Sequence, residues 1–156
     1  MKKIGITGGI GSGKTYVSEV FKSLGIPVFN ADIESKKIMI TSEKLMELVK
    51  STFGEGIYTN GRLNKEKLGA IVFSDKSKLQ KLNSLVHPIV KEEFNNWCKS
   101  QKSSYVIKEA AILIESKANI GLDAVICVSA PLELRISRSV KRDNTTEKEI
   151  KNRIEN

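Results

Sequence analysis

The sequence predicts an α/β fold in which helices flank a parallel sheet. Short β-branched, apolar runs lie near both ends of the chain, and a glycine-rich turn joins the first run to a helical pattern. A long block of helical periodicity separates the early strands from the late ones. This order of elements indicates one core sheet with an inserted helical segment.

Composition and charge narrow the class of protein. The chain has 156 residues, of which 40% are hydrophobic and 28% charged, and such values are ordinary for a globular protein. Its formal net charge is +8, but the lysines are dispersed along the predicted helices and aromatic residues make up only 6%. We therefore expect no nucleic acid partner, since a nucleotide-like polyanion accounts for the positive charge as well.

The sequence also indicates where the protein is located and the state of its two cysteines. No apolar stretch approaches the roughly 20 residues that cross a bilayer, and Met1-Lys2-Lys3 leads straight into a strand without a signal-peptide core. A cytoplasmic location and no contact with membranes are therefore predicted. Cys98 and Cys127 lie in apolar segments without metal-ligand spacing, so both are expected to be buried free thiols.

The first strand, around Ile4-Gly5-Ile6, leads into Gly8-Gly9-Ile10-Gly11-Ser12-Gly13-Lys14-Thr15. We call residues 8–15 the phosphate loop, because they complete the pattern G-x-x-x-x-G-K-[ST] between a strand and a helix. Such a turn points backbone N–H groups into one concavity, and the helix dipole adds positive charge there. The motif predicts a site for an anion.

The residue types of the phosphate loop are those expected to bind a nucleoside triphosphate. Glycines at Gly8, Gly11 and Gly13 allow the backbone to approach oxygens closely, where a Cβ would collide. Lys14 supplies an ammonium for the β and γ phosphates, and the Thr15 hydroxyl suits Mg²⁺. The loop therefore predicts a bound nucleotide with Mg²⁺. The alternative is a glycine-rich turn that binds nothing, and the matching strand and helix on either side argue against it.

The helix after the loop is predicted to be amphipathic and to end at Gly25. Its apolar residues follow helical spacing: Val17, Val20, Phe21 and Leu24. The second strand is predicted at Ile26-Pro27-Val28-Phe29, which would deliver Asp32 to the carboxyl edge of the sheet beside the loop. Asp32 is predicted to accept a proton from an attacking hydroxyl, with a Mg²⁺ ligand as the alternative role.

Residues from about 34 to 100 show helical periodicity and are interpreted as a subdomain that covers and recognises a substrate. The turn signal Asn60-Gly61 interrupts them. Three apolar stripes define the predicted helices: Leu45, Leu48, Val49 and Phe53; Leu79, Leu82, Leu85 and Val86; and Val90, Phe94, Trp97 and Cys98.

The sheet is predicted to resume at residues 104–109 and 123–129, both apolar enough for buried parallel strands. Glu109 then lies at a strand end, as a candidate metal ligand or as a cap for a following helix. Farther on, Arg135, Arg138 and Arg142 fall within an arc of roughly 60° on one helix. Such a stripe suits the charge of phosphoryl transfer, and a solvated basic face is the alternative.

Together these motifs resemble the dephospho-CoA kinase family. The resemblance spans the chain and is carried by Gly5 to Thr15, Asn30-Ala31-Asp32, Leu85-Val86-His87-Pro88, Ile112-Leu113-Ile114-Glu115, Arg138, Arg142-Asp143 and Arg153-Ile154. It implies ATP-dependent phosphorylation of the ribose 3′-hydroxyl of dephospho-CoA, the last step of CoA synthesis, by a monomer or weak homo-oligomer.

The resemblance also implies a three-layer P-loop fold and a set of domains. The nucleotide-binding core would comprise residues 1–33 and 104–131, the helical CoA-binding domain residues 34–103, and the lid with its following helix residues 132–156. By position, the catalytic residues would be Lys14, Asp32 and Arg142, with Thr15 on the metal. The ATP-binding set would be Gly8, Gly11, Ser12, Gly13, Lys14, Thr15, Tyr16 and Arg138.

Three departures from the family pattern are visible. Asn30 stands where the family often has Asp, so Asp32 alone inherits the carboxylate role, and Ala111 replaces a common proline. Family members continue past Asn156 through another strand and helix. If the sequence is a fragment, the sheet should have an exposed edge and the nucleotide pocket should be incomplete. His87 could act on the substrate or be a structural residue before a helix-starting Pro88.

Two other functions stay open on sequence grounds. A kinase for a nucleoside monophosphate or another small hydroxylated metabolite would share the phosphate loop and the lid. A nucleotide-binding module without catalysis would share the loop alone, although no N-K-x-D guanine-reading motif follows it.

Overall fold

The computed structural model describes residues 1–155 of the chain. They form two compact units: the core unit, Met1–Asn30 with the residues from Gln101 onward, and the helical unit, Ala31–Ser100. The elements are, in order, β1 (Lys2–Thr7), α1 (Lys14–Ser23), β2 (Val28–Asn30), α2 (Ala31–Thr41), α3 (Glu43–Phe53), a 3₁₀ turn (Glu55–Ile57), β3 (Tyr58–Thr59), β4 (Arg62–Leu63), α4 (Lys65–Phe73), α5 (Lys76–Lys99), β5 (Tyr105–Glu109), β6 (Ala124–Cys127), α6 (Leu132–Asp143) and α7 (Glu147–Glu155).

The core unit contains a four-stranded sheet in the order β2-β5-β1-β6. Every neighbouring pair is parallel, and the register pairs Glu109 with both Ile6 and Asn30, and Thr7 with Cys127. Because the strands are parallel, their carboxyl ends meet at one edge of the sheet, where the phosphate loop begins. The predicted α/β fold with a parallel sheet is confirmed.

The strands of this sheet differ in burial. Ile6 of β1 and Val106 and Ile107 of β5 have no exposed surface, whereas all four residues of β6 are exposed. The prediction that β6 is a buried strand and Cys127 a buried thiol is therefore wrong; Cys98 is buried as expected. Its position at an edge of the sheet is not a sufficient reason, because β2 lies at the other edge and still buries Phe29; β6 is exposed because little within residues 1–155 covers its faces.

Helix α1 does not bury the face that its apolar spacing predicts. Val20 and Leu24 are 43% and 70% exposed, while Ser18 is fully buried. The phosphate loop fixes where α1 starts, and the small Ser18 side chain, rather than Val20, is the buried residue of the helix. Phe21 still packs edge-to-face on Tyr105 of β5, with 6.5 Å between ring centroids.

The helical unit is built around α5, which contacts α2, α3 and α4. The second and third predicted stripes lie on this single 24-residue helix, and its buried residues are Leu82, Val86, Val90, Phe94 and Cys98. Pro88 lies inside α5 and does not start a helix, so the expected helix boundary at His87-Pro88 is wrong. The continuous apolar stripe stabilises α5 through the proline.

A short hairpin interrupts the helices where the turn signal predicted it. Tyr58 of β3 pairs with Leu63 of β4 in antiparallel register. Asn60 and Gly61 have φ values of 50° and 74°, as a two-residue type I′ turn requires. The Tyr58 hydroxyl donates to the carbonyl of Met39 at 2.7 Å, and burial raises the Tyr58 pKa.

Helices α6 and α7 end the described chain and contact each other. Asn144 caps the carboxyl end of α6. Its backbone is left-handed, with φ 49° and ψ 49°. Ile136 of α6 and Ile150 of α7 are buried. Among residues 1–155, no helix has the length and apolarity needed to span a membrane.

Candidate phosphate-binding site

Close packing requires glycine at two positions of the phosphate loop. Gly11 has φ 73°, and a Cβ there would lie 2.2 Å from the carbonyl oxygen of Arg135. A Cβ at Gly8 would lie 2.2 Å from the carbonyl oxygen of Val128. Because side chains do not tolerate such distances, only glycine allows the loop to pass between β6 and α6 in this path.

Lys14 and the start of α1 give the loop its positive character. The Lys14 ammonium donates to the carbonyls of Gly8 at 2.6 Å and Gly9 at 3.4 Å, which ties the end of the loop to its beginning. Gly13 is the N-cap of α1 and supplies no side-chain acceptor to the first turn of this helix in the described structure. Unsatisfied N–H groups at a helix start bind anions such as phosphate.

Glu109 connects the loop to the neighbouring strand. This buried carboxylate, 4% exposed, accepts from the Thr15 hydroxyl at 3.1 Å and from the Asn30 side-chain amide at 3.0 Å. Residues 111–121 form turns, so the alternative in which Glu109 caps a following helix is wrong. Asn30, which stands where the family often has Asp, has a structural role here. Its side-chain amide donates to Glu109, whereas a second carboxylate at this position would repel it.

Asp32 and His87 both lie in the helical unit. Asp32 is the second residue of α2, directly after the end of β2, and is half-buried. His87 is half-buried in the middle of α5. Their assignment to substrate chemistry stays a prediction.

The three predicted arginines of α6 do not act as one set in this structure. Arg135 is half-buried and donates through Nε to the carbonyl of Ile10 at 2.9 Å. Arg138 is exposed and lies beside the loop. Arg142 is exposed and forms a two-pronged hydrogen bond to Asp143, at 2.7 and 3.0 Å.

The hydrogen bond between Arg142 and Asp143 at the end of α6 shifts the pKa values of both side chains. The hydrogen bond from Arg142 lowers the pKa of Asp143 and raises the pKa of Arg142. Arg153 of α7 also donates to Asp143, at 3.0 Å. The carboxylate therefore joins α6 to α7 through two arginines.

A groove of about 620 Å³ runs along the loop and the start of α6. It brings together four of the residues assigned to ATP from the sequence, namely Ser12, Gly13, Tyr16 and Arg138. The remaining wall is formed by Val17, Ser129, Ala130, Pro131 and Leu134. Tyr16 is 77% exposed, so its ring is available to a ligand in the groove.

Sequence reasoning missed two features of the site. It did not identify Glu109 as the double acceptor for Thr15 and Asn30, although Glu109 and Asn30 end neighbouring strands and Thr15 ends the phosphate loop. It also grouped Arg135 with the other arginines of α6 and missed its bond to Ile10. The signal available in the sequence was the position of Arg135 directly before the apolar residue Ile136, which is buried in α6.

The family model described as dephospho-CoA kinase matches residues 2–156. This chain belongs to the dephospho-CoA kinase family. A dephospho-CoA kinase from Bacteroides fragilis is 41% identical to it, over 97% of this chain and 75% of the relative. One from Chlorobium chlorochromatii is 38% identical, over 97% of this chain and 75% of the relative.

Solved structures agree with the family assignment. A crystal structure of a Thermus thermophilus protein superposes with a TM-score of 0.85 at 32% identity, covering 97% of this chain and 78% of that one. A dephospho-CoA kinase from Campylobacter jejuni superposes with a TM-score of 0.66 at 27% identity, covering 99% and 80%. The predicted resemblance and the P-loop kinase fold are confirmed.

Proposed function

We propose that this protein transfers the γ-phosphoryl group of ATP to the ribose 3′-hydroxyl of dephospho-CoA, giving CoA and ADP in the final step of CoA synthesis. The observation that carries the proposal is the phosphate loop, closed by Lys14 and joined to the sheet by Glu109, in a chain that the dephospho-CoA kinase family matches from end to end. The parallel sheet places this loop at its carboxyl edge, where ligands of α/β proteins bind.

In this proposal the loop amides and Lys14 hold the ATP phosphates. Lys14 bonds to two carbonyls of the loop, and a bound phosphate would compete for the same ammonium, which has three donors. Gly8, Gly11, Ser12 and Gly13 would shape the cradle, while Tyr16 and Arg138 would contact the nucleotide along the groove.

The Thr15 hydroxyl fits a role on Mg²⁺. Its proton is donated to Glu109, which leaves the lone pairs of the oxygen free to face a cation. Residues 1–155 contain no cluster of three Asp, Glu, His or Cys side chains that could hold a metal. A Mg²⁺ ion here would therefore depend on Thr15, water and the phosphates themselves, and it would neutralise charge on the transferred group.

Asp32 is the proposed group that orients the 3′-hydroxyl and accepts its proton. It is the second residue after β2 in the chain, and Glu109, the carboxylate that ends β5, is already bonded to Thr15 and Asn30. Arg142 is proposed to stabilise charge on the transferred phosphoryl group after leaving Asp143. Residues 34–103 are proposed to bind the CoA moiety and residues 132–156 to form the lid.

The remaining expectations are a cytoplasmic location, a monomeric or weakly oligomeric state and no nucleic acid partner. They rest on the sequence alone and stay predictions.

A pair of substitutions tests the assignment of roles. Lys14→Ala should weaken ATP binding and turnover together, because it removes a phosphate contact present before and during transfer. Asp32→Asn should keep most ATP affinity and lower kcat by about 10²- to 10⁴-fold, as expected for a lost general base. Isothermal titration and ADP release would be measured for both, with Lys22→Ala and Glu34→Gln as charge-matched controls on the same helices.

Two results would contradict the proposal. An equal loss of ATP binding in both variants would make Asp32 a metal ligand. A screen of acceptors with labelled ATP that favoured a nucleoside monophosphate over dephospho-CoA would replace the substrate, and ATP binding without transfer to any acceptor would leave a binding module.

A further inference from the structure

The outer side of the phosphate loop is in contact with α6 through Arg135. Arg135 Nε donates to the carbonyl of Ile10 at 2.9 Å across 125 positions of sequence. Its guanidinium also covers the neighbouring peptide, because a Cβ at Gly9 would lie 2.3 Å from the Arg135 Nη2 atom. The half-buried side chain therefore lies against the loop.

The backbone of α6 is equally close. A Cβ at Gly11 would lie 2.2 Å from the Arg135 carbonyl oxygen and 2.7 Å from the Ser139 hydroxyl. Ser139 is fully buried. These contacts leave no space between the loop and α6, so a change at Arg135 is transmitted directly to the loop.

The loop carbonyls are divided between two cations. Lys14 takes the carbonyls of Gly8 and Gly9, and Arg135 takes that of Ile10. A trans peptide is planar, so its N–H points away from its C=O, and the described chain has no cis peptide bond. Holding the Ile10 carbonyl toward α6 therefore turns the Gly11 N–H to the opposite side.

Arg135 also adds charge that no acidic side chain offsets. No ion pair among residues 1–155 involves Arg135, whereas Arg142 and Arg153 both pair with Asp143. A half-buried guanidinium beside the loop is less screened than one in bulk solvent. Its field favours an anion at the loop.

We propose that Arg135 is a positioning residue for the phosphate loop: it orients the Gly11 N–H through the Ile10 carbonyl and contributes fixed positive charge to the site of the ATP phosphates. The inference rests on the proposed function of the loop. It separates Arg135 from Arg138 and Arg142, which extend from the same helix without such a bond to the loop. The expected consequence is on ATP affinity rather than on the acceptor.

The test compares Arg135→Gln and Arg135→Lys with wild type. Arg135→Gln should weaken ATP binding by about tenfold or more, the effect of losing one charge-assisted hydrogen bond. Arg135→Lys keeps the charge and one donor, so it should recover most of the affinity at low salt. The KM for dephospho-CoA should stay within about twofold in both variants, because the change is confined to the loop side. Lys141→Gln, which removes an exposed charge from the same helix, is the control.

Isothermal titration with ATP at two salt concentrations, together with thermal unfolding, separates the outcomes. A lower Tm with unchanged ATP affinity would make Arg135 merely structural and overturn the inference. Equal losses in Arg135→Gln and Lys141→Gln would attribute the effect to net charge and overturn it as well. A wild-type protein that neither binds ATP nor transfers phosphate would contradict the proposed function itself. An active wild type with an equally active Arg135→Gln variant would contradict only the role proposed for Arg135.

Discussion

The phosphate loop and Arg142 at the end of α6 are both proposed to bind phosphate, yet the structure holds them in different ways. The loop is fixed by hydrogen bonds from Lys14 and Arg135 and by contacts that only glycine allows. Arg142 is exposed and bonded to its neighbour Asp143. The loop is thus preorganised, whereas Arg142 would have to leave Asp143 before it could bind a phosphate.

This difference indicates where binding and rate should separate. Groups already in place contribute to affinity for ATP, whereas a group that rearranges can be reserved for the transition state. Changes to the loop should therefore appear first in ATP binding, and changes to Arg142 first in kcat. The following variants test that separation, beginning with the largest effect.

Arg142→Ala should lower kcat by about 10³-fold or more, the range of an arginine that stabilises transferred phosphate. ATP affinity should change little, because the loop remains intact. Single-turnover kinetics and isothermal titration would measure the two quantities, with Lys141→Ala as the control. A loss in kcat below about tenfold would mean that Arg142 serves only to pair with Asp143.

Ile150→Ala should destabilise α7 by about 2–5 kcal/mol, since Ile150 is fully buried and its truncation leaves a cavity. If α7 unfolds separately, the loss should appear as increased hydrogen exchange in residues 147–155, with ATP binding retained. A uniform loss of protection through the core unit would show instead that α7 and the loop unfold together.

Gly11→Ala should weaken ATP binding and lower stability by about 1–3 kcal/mol more than Gly25→Ala. The two glycines have nearly the same φ, 73° and 77°, but a Cβ at Gly25 meets no atom within 4 Å. Both variants therefore carry the cost of a left-handed alanine, and only Gly11→Ala collides with Arg135. Denaturant unfolding and ATP titration would measure the difference. Equal effects would indicate that backbone conformation alone fixes the loop.

Asp143→Asn should have the smallest effect and should depend on pH. The pKa of Asp143 is lowered by its hydrogen bond from Arg142, so its stabilising contribution is present above the usual carboxyl value of 3.8 and is lost as the pH falls through the lowered value. The Tm difference between wild type and Asp143→Asn should thus be constant near neutral pH and shrink in acid. A difference that grew as the pH fell would contradict this assignment.

The loop and the hairpin could be predicted because their signals are local. Residues 8–15 specify the phosphate loop within one short run, and Asn60-Gly61 specifies its own turn. The bond from Arg135 to Ile10 could not be predicted in the same way, because it depends on how β6 delivers α6 to the loop. The orientation of Arg142 toward Asp143 or toward a ligand is likewise a choice between partners that sequence spacing does not decide.

Burial was harder to predict than element type. The apolar composition of β6 predicted a buried strand, but burial depends on what lies beside a strand as well as on its own residues. The apolar residues of α1 predicted its inner face, yet Ser18 is the buried residue of that helix. At Pro88 the packing of α5 outweighs the tendency of proline to end a helix.

The outer edge of β6 has a practical consequence for anyone who concentrates this protein. Within residues 1–155, one side of β6 has no strand partner, and its side chains Val125 and Ile126 are 40% and 38% exposed. A strand with an open edge and apolar side chains can pair with the same strand of another molecule. We expect light scattering to rise with concentration during storage, and a lysine introduced at Ile126 should delay it.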